Sequence, residues 1–312
     1  MLAIFESILP IFLLIGVGIA LRRSPLIAEA AWPGMEQLAY WFLYPSLLFV
    51  TIYNASFDGL QIDAMLAALL IAIAAMSALV LALWPGLARL GLVSTHEYSS
   101  IFQTSIRWNG FIALPIAQKI FPPEGAAVVA LVMAVIIVPI NVASVFVVMR
   151  FANREVGLAR TLARVALNPL IIGSLLAIML RFSPLPLYEP VNETLRLVGN
   201  AALGLGLLAI GSGLRLGDLA SVRFAVWLPV VLKLVVFPIV LIGLSLAFGI
   251  RGPQLVYLAL CAAVPTAMNG YLLARQLGGD AELYAAVTTL QTALSFFTIP
   301  IVLAIAAQLS SG

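Results

Sequence analysis

The chain has 312 residues, of which 63% are hydrophobic and 9% charged, and its mean hydropathy is +1.14. This composition excludes a water-soluble globular domain and is typical of an integral membrane protein. Cys261 is the lone cysteine, so no internal disulfide can form. A single histidine without a cluster of acidic or cysteine ligands predicts neither a metal site nor a cofactor.

Apolar stretches of about 20 residues, the length that crosses a bilayer as a helix, recur along the whole chain. Ten candidates lie near 3–22, 34–54, 63–85, 97–120, 125–149, 164–182, 193–214, 223–248, 253–276 and 281–307. The first one lacks the basic start of a signal peptide and carries Glu6 and Pro10, so we interpret it as a retained helix. The sequence therefore predicts an all-α integral membrane fold with ten transmembrane helices.

The fourth span contains TSIRWNGFIALP at 104–115, which places polar and helix-breaking residues at its middle. Pro115 has no backbone N–H and leaves the carbonyl of Phe111 without its helical donor. The pair Asn109-Gly110 favours a turn over continued helix. We expect an interruption here, because backbone groups freed inside a membrane need protein or a water-filled cavity to receive them.

The ninth span repeats this pattern in CAAVPTAMNGYLLA, where Pro265 and Thr266 precede Asn269-Gly270. Two discontinuous helices at matching positions indicate a substrate site at the midplane, where the N-termini of half-helices attract anions. A pair of ordinary proline kinks with satisfied packing is the alternative interpretation.

Arg107 is the cation at the middle of the fourth span, and no Asp or Glu lies at the middle of any span. A cation at this depth usually marks a pathway or has a partner, and a substrate carboxylate could be that partner. Alternatively, Arg107 snorkels to the interface or caps freed carbonyls.

Lys233 lies inside the eighth span. A buried lysine can lose its proton, which makes proton coupling possible, or it can stand where a relative binds sodium. A salt bridge to an interfacial acid is an equal alternative.

Other polar and small residues in the spans have two interpretations each. Tyr44 and Ser46 in the second span, and Gln291 with Thr288, Thr292 and Ser295 in the tenth, could face the interruptions or serve helix packing, and interhelical hydrogen bonds are favoured for the tenth. The seventh span, LVGNAALGLGLLAIGSG, permits close approach to a neighbouring helix, with a second subunit as the alternative partner.

Short motifs recur at a nearly constant offset. LRRSPL at 21–26 recurs as LRFSPL at 180–185, and Asn109-Gly110 recurs as Asn269-Gly270. We interpret the chain as two five-helix repeats, 1–160 and 161–312. Because five is odd, the second repeat enters the membrane from the opposite side, as in the inverted repeats of secondary transporters.

Arginine and lysine in the loops predict the orientation. With the N-terminus outside, the cytoplasmic loops hold Arg22, Arg23, Arg89, Arg150, Arg154, Arg160, Arg164, Arg215, Arg223 and Arg275, and the outer loops hold Lys119, Arg181, Arg196 and Arg251. We therefore expect a plasma-membrane protein with both termini outside the cytoplasm. Contact with anionic lipid accounts for the net charge of +3 without nucleic-acid binding.

The motifs NGFIALP, PTAMNGYLLARQLGG, LNPLIIGSLLAIML and YPSLLF, in this order and spacing, resemble the auxin efflux carrier family, which includes bacterial relatives of plant PIN-type carriers. The resemblance implies a bile-acid-symporter-like fold. In that fold spans 1, 2, 6 and 7 form a scaffold, and spans 3–5 and 8–10 form a mobile transport domain with spans 4 and 9 crossing. It also implies a homodimer and elevator-like transport of organic anions, including auxin and small carboxylates.

An enzyme would need an acid-base or nucleophile cluster facing a cavity, and the sequence offers none. The sequence thus predicts a secondary active transporter of small organic anions. An anion channel or facilitator with the same fold is the alternative, which uptake against a gradient would exclude.

Overall fold

The computed structural model describes residues 2–152, 167–183, 186–217 and 223–310. Arg154, Arg160 and Arg164 of the predicted cytoplasmic loop lie outside these ranges. In chain order the helices are α1 (Leu2–Arg23), α2 (Ala31–Leu38), α3 (Tyr44–Tyr53), α4 (Ile62–Arg89), α5 (Thr95–Ile106), α6 (Gly110–Ile120), α7 (Pro123–Ala152), α8 (Pro169–Arg181), α9 (Glu189–Gly213), α10 (Phe224–Val231), α11 (Phe237–Ala247), α12 (Pro253–Ala263), α13 (Asn269–Leu277) and α14 (Ala281–Ser310).

Within the described ranges every regular element is helical and no β-strand is present. Single π-helical turns, Ala39–Leu43 and Leu232–Val236, join α2 to α3 and α10 to α11. Six of the described helices are long and apolar enough to cross a membrane, namely α1, α4, α7, α9, the continuous pair α10–α11, and α14. The protein is therefore a multi-pass, all-helical membrane protein.

Both predicted interruptions are present. The backbone at Arg107 and Asn109 is extended, with φ/ψ of −69°/155° and −101°/90°, and separates α5 from α6. Val264 is likewise extended at −68°/147°, and residues 264–268 separate α12 from α13. Because the backbone at Arg107, Asn109 and Val264 lies outside the helical region of φ/ψ, the interpretation as ordinary kinks is wrong.

The helices pack in two groups. The most extensive contacts of α1 are with α9, and those of α3 are with α8 and α9. The other group joins α5 and α6 to α7, and α12 to both α14 and α11. Glycines bring the first group together, because a Cβ on Gly211 would overlap the main chain of Ile15 and a Cβ on Gly18 would overlap that of Leu208. The small residues of the seventh span therefore pack inside the bundle, as one of the two interpretations predicted.

Candidate functional site

The two interruptions line one cavity of about 50 Å³. The first interruption and the start of α6 contribute Arg107, Trp108, Gly110 and Phe111; α7 contributes Met133, Ile137, Ile140 and Asn141; Asn168 and Leu170 come from the start of α8; Ala267 and Asn269 come from the second interruption. Three of the residues predicted for the site, Arg107, Gly110 and Asn269, thus line the same space.

Arg107 is buried, with 5% of its surface exposed, and its Nη2 donates a hydrogen bond to Oδ1 of Asn141 at 3.0 Å. Its buried Nε has no hydrogen-bond partner. The guanidinium therefore neither snorkels nor caps a freed carbonyl. No carboxylate is among the described residues that line the cavity, and the Nε of this buried cation has no acceptor in the described part of the chain.

Helix N-termini add to this positive potential. Asn109 precedes α6 and its side chain accepts from the backbone N–H of Phe111 at 3.1 Å, while Asn168 precedes α8 and accepts from Leu170 at 2.9 Å. At α13, Met268 provides no side-chain cap, and the first helical residue, Asn269, lines the cavity. Uncapped N–H groups at a helix start carry a partial positive charge and favour an anion.

Gln291 cross-links the two interruptions. Its Oε1 accepts from the backbone N–H of Thr266 at 2.9 Å, and its Nε2 donates to the carbonyls of Thr104 and Pro229, each at 3.0 Å. The N–H of Thr266 and the carbonyl of Thr104 are backbone groups that a continuous helix would have paired, whereas the carbonyl of Pro229 also accepts from the N–H of Leu232. Gln291 is fully buried and does not line the cavity.

The second interruption is also held by Tyr284, a residue that the sequence analysis did not select. Its hydroxyl donates to the carbonyl of Ala267 at 2.6 Å and lies 3.3 Å from Oγ1 of Thr266. A Cβ on Gly270 would overlap the Tyr284 ring, so glycine is required for this close approach. Thr266 and its neighbour Pro265 are thus buried in the supporting structure behind the cavity.

Tyr44 packs against the first interruption, and its hydroxyl donates to the carbonyl of Phe111 at 3.4 Å. This is the carbonyl that Pro115 was expected to free. The centroids of the Tyr44 and Phe111 rings are 3.8 Å apart. Ser46 instead donates to the carbonyl of Phe42, in the π-helical turn that leads into its helix, at 2.8 Å.

Lys233 lies in the second π-helical turn and is fully buried. Its Nζ donates to the carbonyl of Ala262 at 3.1 Å, at the C-terminus of α12, and lies 4.2 Å from the centre of the Phe237 ring. A cation suits the negative end of a helix and the face of an aromatic ring. Lys233 forms no ion pair with a described acid, so the alternative interpretation as a salt bridge is wrong for the described residues.

Hydroxyl groups on α14 bond their own helix. Oγ1 of Thr288 donates to the carbonyl of Tyr284 at 2.8 Å, and Oγ of Ser295 donates to that of Thr292 at 2.7 Å. The interhelical bonds favoured for these two are therefore wrong, because a short hydroxyl side chain on a helix reaches the carbonyl one turn back.

Asn141, Asn168 and Met133 line the cavity and were missed by the sequence analysis. Asn141 was detectable in principle, since it is a polar residue in the middle of an apolar span. Asn168 also gave a signal, because asparagine followed by Pro169 is typical of a helix start. Met133 gave none.

A second cavity, of about 250 Å³, is lined by Ser56, Asp58, Leu60, Glu124, Pro253, Gln254 and Tyr257. Asp58 and Glu124 bring two carboxylates to its wall, whereas the cavity between the interruptions has a cation. An anion would be repelled from the larger space and attracted to the smaller one.

Comparison with known proteins bears on the family. Residues 154–303 match the family model described as membrane transport protein. This match covers 150 of the 312 residues. The match confirms the resemblance to the auxin efflux carrier family, and the protein is a membrane transporter. A protein of Methanothermobacter thermautotrophicus described as an uncharacterized transporter is 22% identical over 299 residues, covering 95% of this chain and 96% of that protein.

Proposed function

We propose that this transporter is a secondary active carrier of small organic anions, with the cavity between the two interruptions as its binding site. The observation that carries the proposal is the buried Arg107, whose Nε lacks a partner at a cavity without a described carboxylate. A substrate carboxylate would supply the missing charge and would accept from the free donor.

We propose an elevator mechanism in which spans 1, 2, 6 and 7 form the scaffold and the remaining spans form the transport domain. The two packing groups of helices support this division. Apolar contacts join the groups, since Phe5 and Phe12 of α1 pack on Phe296 of α14. The hydrogen bond from Gln118 to Thr51 is long, at 3.4 Å. Weakly bonded apolar surfaces oppose sliding less than paired polar ones.

We also propose ten spans in two inverted repeats. Spans 2, 4, 8 and 9 would be the pairs α2–α3, α5–α6, α10–α11 and α12–α13. The support is the position of the two helix breaks, each followed by a short helix that opens with a glycine in its first two residues, at Gly110 and Gly270.

Reconstitution into liposomes tests the function. We expect saturable uptake of a radiolabelled carboxylate, driven above the external concentration by an imposed proton or sodium gradient. Arg107→Ala should abolish it, and Arg89→Ala should not, because Arg89 is an exposed arginine at the end of α4. Uptake that never exceeds the external concentration would indicate a channel or facilitator. Unchanged uptake by Arg107→Ala would overturn the proposed site.

A further inference from the structure

The size of the cavity restricts what it can hold. A buried water needs roughly 10–15 Å³ of such space, so the cavity of about 50 Å³ accommodates only about four groups of that size. Acetate, with four non-hydrogen atoms, matches this volume, whereas propionate and glycolate, with five, exceed it slightly, and butyrate and lactate, with six, exceed it by about half. An indole ring is far too large for it.

The charges of the cavity restrict the ligand further. Arg107 is the one charged side chain among the described lining residues, and apolar side chains such as Met133, Ile137 and Ile140 form much of the wall. A second carboxylate would lose its hydration without gaining a cation, which is unfavourable. The site is therefore matched to a single negative charge.

Two amide groups are placed to recognise oxygen. Asn141 uses its Oδ1 to accept from Arg107, and Asn168 uses its Oδ1 to accept from Leu170. Neither Nδ2 group has a hydrogen-bond acceptor among the described residues. These N–H donors suit the second carboxylate oxygen or a neighbouring hydroxyl of a ligand.

Met133 limits the space that a ligand can occupy next to the start of α6. It is 4% exposed, and a Cβ on Gly110 would lie 3.0 Å from its Cγ and still closer to its Sδ and Cε. Its side chain thus fills the space directly against the N-terminus of α6. Replacement by alanine would vacate the volume of Cγ, Sδ and Cε.

We infer that the site selects monocarboxylates of about two or three carbons, and that Met133 sets the upper limit of chain length. The inference rests on the proposed anion-carrier function and specifies its substrate. It places dicarboxylates and aromatic acids outside the range of this site.

The test measures binding of acetate, propionate, butyrate, malonate and indole-3-acetate to the purified protein in lipid nanodiscs, by competition with radiolabelled acetate. We expect acetate and propionate to bind at least about tenfold more tightly than malonate or indole-3-acetate. Met133→Ala should improve butyrate binding about fivefold while changing acetate binding by less than about threefold. Ile137→Ala is a second enlarging variant in case Met133→Ala folds poorly.

Met76→Ala is the matched control, because Met76 is a buried methionine of α4 that does not line the cavity. It should leave the order of ligands unchanged. Equal affinity of the parent protein for acetate and indole-3-acetate, with both lost in Arg107→Ala, would overturn the size limit and leave the anion site intact. An unchanged ligand order in both enlarging variants would overturn the role of Met133. Carboxylate binding that does not depend on Arg107 would overturn the proposed function itself.

Discussion

The side-chain Nε2 of Gln291 donates a hydrogen bond to the carbonyl of Thr104 at 3.0 Å, and through its Oε1 the same side chain accepts from Thr266 at 2.9 Å. Thr104 lies near the end of α5, and Thr266 lies in the interruption between α12 and α13. One buried amide therefore ties the two broken helices together. It also compensates backbone groups that have no helical partner, which are costly to leave unpaired in a membrane interior.

Gln291→Leu should destabilise the protein strongly. It leaves the buried N–H of Thr266 and the carbonyl of Thr104 unpaired, each costing about 1–3 kcal/mol, so the apparent melting temperature in detergent should fall by many degrees. Thr288→Val is the control, because the Thr288 hydroxyl bonds only its own helix. Its loss should leave the apparent melting temperature nearly unchanged. Equal melting temperatures for the parent and Gln291→Leu would show that the cross-link is not structural.

Replacement of Asn109 and Asn269 by leucine should both abolish transport, but for separable reasons. Asn109 caps α6, so Asn109→Leu should also lower stability by about 1 kcal/mol. Asn269 has no capping bond and faces the cavity, so Asn269→Leu should leave the melting temperature unchanged. Uptake and melting curves of the two variants check this. Normal transport by both would place the site elsewhere.

Arg107→Ala should weaken anion binding by at least about tenfold, because a charge-assisted interaction worth roughly 2–5 kcal/mol is removed where water is excluded. Arg107→Lys should recover part of the affinity, since it keeps the charge and loses the planar fork. Asn141→Ala should weaken binding less, because it removes a neutral donor and the positioning bond of the guanidinium but leaves the positive charge. Titration of each purified variant, with its melting temperature without ligand, separates binding from folding. Unchanged affinity in Arg107→Ala would overturn the anion-binding role of Arg107.

Lys233→Met should separate coupling from binding. Lys233 does not line the cavity, so carboxylate affinity should remain within about threefold of the parent value. If Lys233 carries the coupling proton, uptake driven by a proton gradient should disappear while exchange of bound anion continues. Proteoliposomes with and without the gradient distinguish the two modes. Gradient-driven uptake at the parental rate would exclude coupling through Lys233.

Reporter fusions at Gly312 test the predicted orientation. The basic residues of the loops predict a C-terminus outside the cytoplasm, so alkaline phosphatase fused there should be active and green fluorescent protein should stay dark. Fluorescence from the green fluorescent protein fusion would show that the C-terminus lies in the cytoplasm and that every span has the opposite orientation.

The amino-acid sequence by itself determined the membrane class, the interruptions in the fourth and ninth spans and the isolated charge of Arg107. These features are local: hydrophobic composition decides where a segment partitions, and proline, glycine and asparagine act on the backbone within one helical turn. Pro115 therefore predicted the free carbonyl of Phe111 before any contact was known.

Tertiary structure alone decided which polar groups meet. The spans are apolar on most sides, and lipid and protein neighbours are equally apolar, so the hydrophobic pattern does not fix the rotation of a helix about its axis. The pairing of Arg107 with Asn141 and the three bonds of Gln291 join segments that are distant in sequence. Their geometry, like the size of the cavity behind Met133, arises only when packing sets each helix at one rotation and one depth.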